Sequence, residues 1–162
     1  NRERIYIVCF KFKKDNNKFI FPDDTTNTKI KIKDLLESNI KDDFYYKNGC
    51  TIWDKLVNEI VDTIDNDVVY QYRRYYVRKN KSNVCPTLTA NMGTGGHNVP
   101  IIKDSKGIRK LTPLECFRLQ GFPSTYKIPD CISNAQLYKL AGNAVSVPVV
   151  DRIATNIVKL FK

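Results

Sequence analysis

The sequence predicts a mixed α/β fold in which strand-forming residues open the chain, a small β-rich module fills its middle and capped helices close it. Three observations carry this expectation. Arg4 to Phe12 (RIYIVCFKF) is a β-branched and aromatic run, Val68 to Lys81 is a second β-type run dense in tyrosine and arginine, and the last third is punctuated by helix caps. At 162 residues the chain fits one modest domain, or a small domain joined to a piece of a larger one.

Taken in order, Ile5 to Cys9 is uninterruptedly apolar and reads as a strand buried on both faces. A strand of that kind at the first residues implies neighbours from elsewhere. Lys13 to Thr51 is polar, with a loop at Asp23-Asp24-Thr25-Thr26-Asn27, and reads as a linker into a second domain. Ile52, Leu56, Val57, Ile60, Val61 and Ile64 recur at helical spacing, which predicts an amphipathic helix over 52–64. After the Val68 to Lys81 run, a turn at Asn80 to Asn83 leads to Thr87-Leu88-Thr89-Ala90, a glycine loop with Gly93, Gly95 and Gly96, and a short strand from Val99 to Ile102.

The helical third is read from its punctuation. Thr112-Pro113-Leu114-Glu115 is a capping box with proline at the first helical position, stopped by Gly121 and Pro123. Ser133-Asn134-Ala135-Gln136 is a second box whose helix should end near Gly142. Pro148 can open a last helix with Val149, Val150, Ile153, Ala154, Ile157 and Phe161 on one stripe.

Composition narrows the function classes. Apolar residues at 42% and aromatics at 11% exclude a disordered chain. Lys plus Arg outnumber Asp plus Glu by 27 to 17, giving +10 and a pI near 9.4, which suits a polyanionic partner or a solvated lysine-rich surface. Cys9, Cys50, Cys85, Cys116 and Cys131 are odd in number, widely spaced and without zinc-site spacing, which implies reduced thiols in a cytoplasmic protein and no metal site. No run reaches the length of a membrane span and no signal peptide is evident. The single methionine is Met92, so a chain opening at Asn1 is expected to be processed or part of something longer.

Several constellations could carry chemistry. Arg73, Arg74 and Arg78, with Lys79 and Lys81, interleave with Tyr70, Tyr72, Tyr75 and Tyr76, and alternation would gather one set on a common face. That face is either a DNA-backbone contact or the charged solvent side of a strand. The segment Thr87 to Pro100 (TLTANMGTGGHNVP) is not a phosphate-binding P-loop; it is a hairpin turn or a loop entering a DNA groove. Cys85 and His97 lack the local helix terminus and carboxylate of a thiol nucleophile site. Asp23-Asp24 and Asp42-Asp43 read as solvated loop acids. Finally, Gly142-Asn143 reads as a turn feeding a helix amino terminus that could receive an anion.

The stretch Arg109-Lys110-Leu111-Thr112-Pro113-Leu114-Glu115-Cys116-Phe117-Arg118-Leu119-Gln120-Gly121-Phe122-Pro123 and the later Gly142-Asn143-Ala144-Val145-Ser146-Val147-Pro148 closely resemble the ninth and tenth motifs of the cytosine-C5 DNA methyltransferases. Asn1-Arg2-Glu3-Arg4 leading into Ile5-Tyr6 resembles the eighth motif, and Thr87-Leu88 resembles the Thr-Leu pair of that family's target-recognition domain. The matches are ordered and span the chain.

The resemblance implies the carboxyl-terminal part of a Rossmann-like S-adenosylmethionine-dependent methyltransferase domain with an inserted small β-rich target-recognition domain. Its boundaries would be 1–22 for the last strands of the catalytic domain, 23–108 for the recognition domain and 109–162 for the return helices. It further implies Arg4 and Arg2 as holders of a flipped cytosine, and Asn143, Ala144 and Val145 in the S-adenosyl-L-methionine pocket. Double-stranded DNA would be contacted through Thr87, Leu88, Gly93, Gly95 and Gly96, and through Arg73, Arg74 and Arg78. In the family a thiolate attacks cytosine C6, a glutamate supports N3 and C5 takes the methyl group. The glycine-rich first motif, the Pro-Cys motif and the Glu-Asn-Val motif are absent here, and Cys85-Pro86 has the reverse order. The expected protein is therefore a bacterial restriction-modification methyltransferase half that is inactive alone and needs the amino-terminal half. A DNA-binding module without catalysis and a tRNA cytosine methyltransferase of the same superfamily are the alternatives.

Overall fold

A computed structural model describes residues 4–23, 30–60, 67–81, 84–94 and 98–161. The chain divides into two compact units, Ile30–Ala144 and a second unit made of Asn1–Lys29 with Val145–Lys162. The expected boundaries at 22/23 and 108/109 thus differ from the compact-unit boundaries at 29/30 and 144/145.

The larger unit is built on an antiparallel sheet in the order β2-β1-β3-β4, from β1 (Tyr70–Arg73), β2 (Tyr76–Lys79), β3 (Ile101–Lys103) and β4 (Ile108–Lys110). Helix α2 (Trp53–Glu59) precedes it, and α3 (Pro113–Leu119) and α4 (Asn134–Asn143) follow; α1 (Lys13–Asn16) and α5 (Val147–Lys159) belong to the other unit. Directly paired residues share a face, so the register Tyr70↔Lys79, Gln71↔Arg78, Tyr72↔Val77, Arg73↔Tyr76 sorts the hairpin into two sides. Tyr70 also pairs with Ile101, and Ile102 with Arg109.

Each side buries its own cluster. Ile52, Leu56 and Ile60 of the α2 region pack with Val68, Tyr70, Val77, Ile101 and Ile108. On the opposite side Val69 and Ile102 pack with Leu88, Met92, Leu111, Cys116, Phe117, Leu137, Tyr138 and Ala141. Adjacent Ile101 and Ile102 are both fully buried because helices cover both faces.

The expected stretch 52–64 is helical over Trp53–Glu59; its Val61 and Ile64 lie outside the described residues. The first cap behaves as its sequence implies. Thr112 Oγ1 accepts from the Glu115 N–H at 3.1 Å and Glu115 Oε2 accepts from the Thr112 N–H at 2.7 Å, a reciprocal capping box. At the other end Gly121, at φ +85°, donates to the Arg118 carbonyl and Phe122 to the Phe117 carbonyl, with the Phe117 and Phe122 rings 5.1 Å apart. That pair of bonds and the apolar contact make a Schellman stop, which requires the left-handed residue that glycine supplies.

Several expectations are corrected. The polar stretch 13–51 is not merely a linker: Ile32, Ile40 and Phe44 are core residues of the larger unit, Ile32 and Phe44 lying in short 3₁₀ turns at Ile32–Leu35 and Asp42–Phe44 and Ile40 between them. Sparse apolar residues hid this, because short turns bury single side chains without any periodic signal. The Val68 to Lys81 run is a hairpin whose turn holds Arg74 at φ +49°. Arg-Tyr is no turn signature, so the break was invisible in sequence. Gly142 does not begin a turn; it lies within α4.

In the smaller unit, residues 4–10 pair with no strand among the described residues. Ile5 and Ile7 are 89% and 82% exposed, while Tyr6, Val8 and Phe10 are half-buried. The expected strand buried on both faces is therefore an extended segment with one covered side. Tyr6 and Val8 line a groove of about 300 Å³ with Val150, Ile153 and Ile157 of α5, and Phe10 stacks on Phe19 and Phe161 at 5.6 and 6.5 Å. Of the expected α5 stripe, Ile153 is buried and Ile157 half-buried, whereas Val149, Val150 and Ala154 are exposed and Phe161, also exposed, lies past the helix end. Among the described residues no helix is long and apolar enough to cross a membrane.

Candidate functional site

The motif-like stretch from Arg109 begins as β4 and turns into α3, and two of its charges are hidden. Arg109 is 1% exposed and Glu115 fully buried. The guanidinium meets the carboxylate as a fork, Nη1 to Oε2 and Nη2 to Oε1, both at 2.8 Å. Nε donates to Asp104 Oδ2 at 2.7 Å, and Asp104 also accepts from the Tyr45 hydroxyl at 2.8 Å. Glu115 Oε1 takes the Glu37 N–H at 3.0 Å, and Thr112 Oγ1 bonds the Glu37 carboxylate. A buried ion pair is tolerated when its remaining lone pairs are filled, and here they are. Burial works against the Asp104 carboxylate, yet hydrogen bonds from Arg109, Tyr45, Lys106 and Gly107 outweigh it and hold its pKa below the ordinary value. This network ties β4, α3 and residues 37 and 45 into one rigid corner.

On that corner sits the Thr-Leu loop. Leu88 is buried in the cluster with Val69 and Ile102, whereas Thr87 is exposed. The loop backbone lies directly on α4: a Cβ added at Gly142 would come within 2.2 Å of the Thr89 carbonyl oxygen. Gly93, at φ +75°, closes the loop against Tyr138, whose ring a Cβ would meet at 2.5 Å. Gln120 Nε2 donates to the Ala141 carbonyl at 3.2 Å, bracing the α4 terminus beneath. The physical role of Gly142 is close approach of two backbones, and it went unread in sequence because helical glycine usually signals a helix end.

The basic residues sort by the hairpin register. Gln71, Arg73, Tyr76 and Arg78 share one face and Tyr70, Tyr72, Val77 and Lys79 the other. The second face is covered by the α2 cluster, with Lys55 Nζ 5.7 Å over the Tyr72 ring. The first face is the one on which Val69 and Leu88 pack, so the exposed Arg73 and Arg78 lie on the same side of the sheet as the Thr87 loop. Arg74 and Tyr75, 80% exposed, form the hairpin tip. Gln71, which sequence reasoning passed over, is buried and accepts from Arg73 Nε at 2.8 Å; its i, i+2 spacing from Arg73 was the available signal.

The remaining candidates are distributed as follows. Arg4 is exposed in the smaller unit; Arg2, Gly95, Gly96 and His97 lie outside the described residues. Asn143 is exposed at the end of α4, and half-buried Ala144 donates its N–H to the Leu140 carbonyl at 2.9 Å. Val145 begins the other unit and is 38% exposed. Burial pushes the Cys85 thiol up to about 12, so it stays protonated at neutral pH and is a poor nucleophile. Asp42 is salt-bridged to Lys106.

The profile of the family described as C-5 cytosine-specific DNA methylase matches residues 1–159. The chain is 51% identical to the Type II methyltransferase M.Bsp6I of Bacillus sp. (strain RFL6), covering 98% of this chain and 50% of that protein. It is 36% identical to the Type II methyltransferase M.SsoII of Shigella sonnei, covering 98% and 40%. The chain thus spans about half the length of the curated relatives it matches. The crystal structure of S. pombe Dnmt2 methyltransferase superposes with a TM-score of 0.56 at 16% identity over 86% of this chain and 45% of that one, a likeness of fold. On the profile match across nearly all of its residues, the chain belongs to the C-5 cytosine-specific DNA methylase family.

Proposed function

We propose that this chain is the carboxyl-terminal half of a DNA (cytosine-5-)-methyltransferase, carrying its target-recognition domain and the last segment of its Rossmann-like catalytic domain. Joined to the half that bears the nucleophile, it transfers a methyl group to C5 of a flipped cytosine in a specific duplex sequence; alone it is inactive. The observation that carries the reading is the family match over residues 1–159 in a chain that spans only half of its curated relatives. Their Type II designation supports a bacterial restriction-modification setting.

In this reading the thiolate that attacks C6 comes from the absent half, and this chain's residues bind and orient. The Arg4 guanidinium, permanently charged, holds the flipped cytosine or its flanking backbone, with Arg2 beside it. Asn143 and Val145 are accessible, one an amide that both donates and accepts and the other apolar. Together with Ala144 they are this chain's contacts to S-adenosyl-L-methionine, which supplies an electrophilic methyl group when bound. Thr87, Leu88, Gly93, Gly95 and Gly96 present the recognition loop to the major groove, while Arg73, Arg74 and Arg78 meet DNA alongside it.

The test offers the assembled enzyme duplex DNA and tRNA in competition with labelled S-adenosylmethionine. Label is expected in DNA; label confined to tRNA would overturn the DNA assignment. Arg4→Ala should lower turnover at least tenfold with duplex binding retained, and an unchanged rate would remove Arg4 from the site.

A further inference from the structure

We infer that Gln71 and Arg73 form a preorganised two-donor reader on the hairpin, built to grip a pair of acceptors on duplex DNA such as guanine O6 and N7 or two phosphate oxygens. This rests on the DNA-methyltransferase reading above and deepens it by separating one arginine from the general basic surface.

The geometry begins with Gln71, 7% exposed on β1. Burial fixes its amide, and the amide oxygen accepts from Arg73 Nε at 2.8 Å. A guanidinium is a planar fork, so holding Nε aims its end edge, Nη1 and Nη2, away from Gln71. Neither terminal nitrogen has a partner among the described residues. Arg73 itself is exposed. Arg109 spends both terminal nitrogens on the Glu115 carboxylate; Arg73 is braced through its inner nitrogen, and among the described residues its outer pair is left open.

The surroundings suit the same purpose. The register puts Tyr76 and Arg78 on the Arg73 face, Tyr76 being 55% exposed, with Arg74 and Tyr75 at the tip. That is the side of the sheet on which the Thr87 loop is docked. Arg78, opposite Gln71 across the strand pair, has no such brace among the described residues. It therefore offers charge, while Arg73 offers charge and direction. A bidentate arginine to guanine O6 and N7 is the commonest specific major-groove contact, and the same fork fits phosphate oxygens.

The experiment uses the enzyme assembled from this chain and the amino-terminal half, with a pool of random-sequence duplexes as probe. Bound sequences are counted and methylated cytosines are mapped by bisulfite sequencing. Arg73→Lys keeps the charge and loses the fork; binding to the selected duplex should fall about 5- to 100-fold. In the guanine case the variant loses preference at one guanine, and 7-deazaguanine at that position weakens the unmodified enzyme but not Arg73→Lys. In the phosphate case the loss is uniform across sequences, and Arg73→Ala lowers the salt slope by about one. Gln71→Leu should reproduce part of the Arg73→Lys effect and add nothing to it, whereas Gln71→Glu, which keeps an acceptor, should restore binding. Matching melting curves exclude misfolding as the cause.

Unaltered affinity and sequence preference in Arg73→Lys and Arg73→Ala would overturn the reader. Loss in Arg73→Lys with none in Gln71→Leu would overturn the positioning role of Gln71. If the unmodified mixture binds duplex yet methylates nothing, the methyltransferase reading fails, and the binding comparison still decides the reader.

Discussion

Burying Arg109 and Glu115 removes two charges from water at a cost that only their mutual fork and the surrounding donors can offset. Removing one partner leaves the other stranded. Glu115→Ala should therefore destabilise the chain by about 3–5 kcal/mol, measured by denaturant unfolding. Asp104 gives a milder and pH-dependent contribution. Its folded pKa lies below the unfolded value near 3.8, so the stabilisation is fully present above that value and lost as pH falls through the folded one. Asp104→Asn should cost about 1–3 kcal/mol at neutral pH, and the gap from the unmodified chain should shrink on acidification below pH ~4. A gap constant down to pH ~2 would show that the carboxylate is not held by those bonds. None of this pairing could be read from residue order, since Arg109 and Glu115 in sequence look like a charged approach to a helix and an ordinary capping residue.

At the scale of elements, the caps were legible and the close approaches were not. Thr112, Pro113, Glu115 and Gly121 act through bonds within a few residues, so their order reveals them. Gly142 acts on Thr89, far away in sequence, and its position suggested only a helix end. Gly142→Ala drives a methyl group into the Thr89 carbonyl, so the loop or α4 must shift. A loss of about 1–3 kcal/mol is expected, seen as a lower melting temperature, together with weakened sequence discrimination from the displaced loop. A variant that melts and discriminates as before would show that the loop is not docked there. The hairpin break at Arg74-Tyr75 escaped for a related reason, because the turn relies on an arginine at positive φ rather than on Asn-Gly or Asp-Gly. Alternation within each strand was still correct about a common arginine face.

For the whole molecule, family membership was legible because short motifs fell in the right order along the chain, and the profile match extends over residues 1–159. The compact units were less so. Residues 30–51 contribute Ile32, Ile40 and Phe44 to a core that periodicity could not announce. The opening segment, read as a fully buried strand, instead exposes Ile5 and Ile7. The most direct measurement incubates duplex DNA and labelled S-adenosylmethionine with this chain, with the amino-terminal half, and with both. 5-Methylcytosine at a defined sequence is expected only with both; methylation by this chain alone, or none by the mixture despite DNA binding, would contradict the half-enzyme reading.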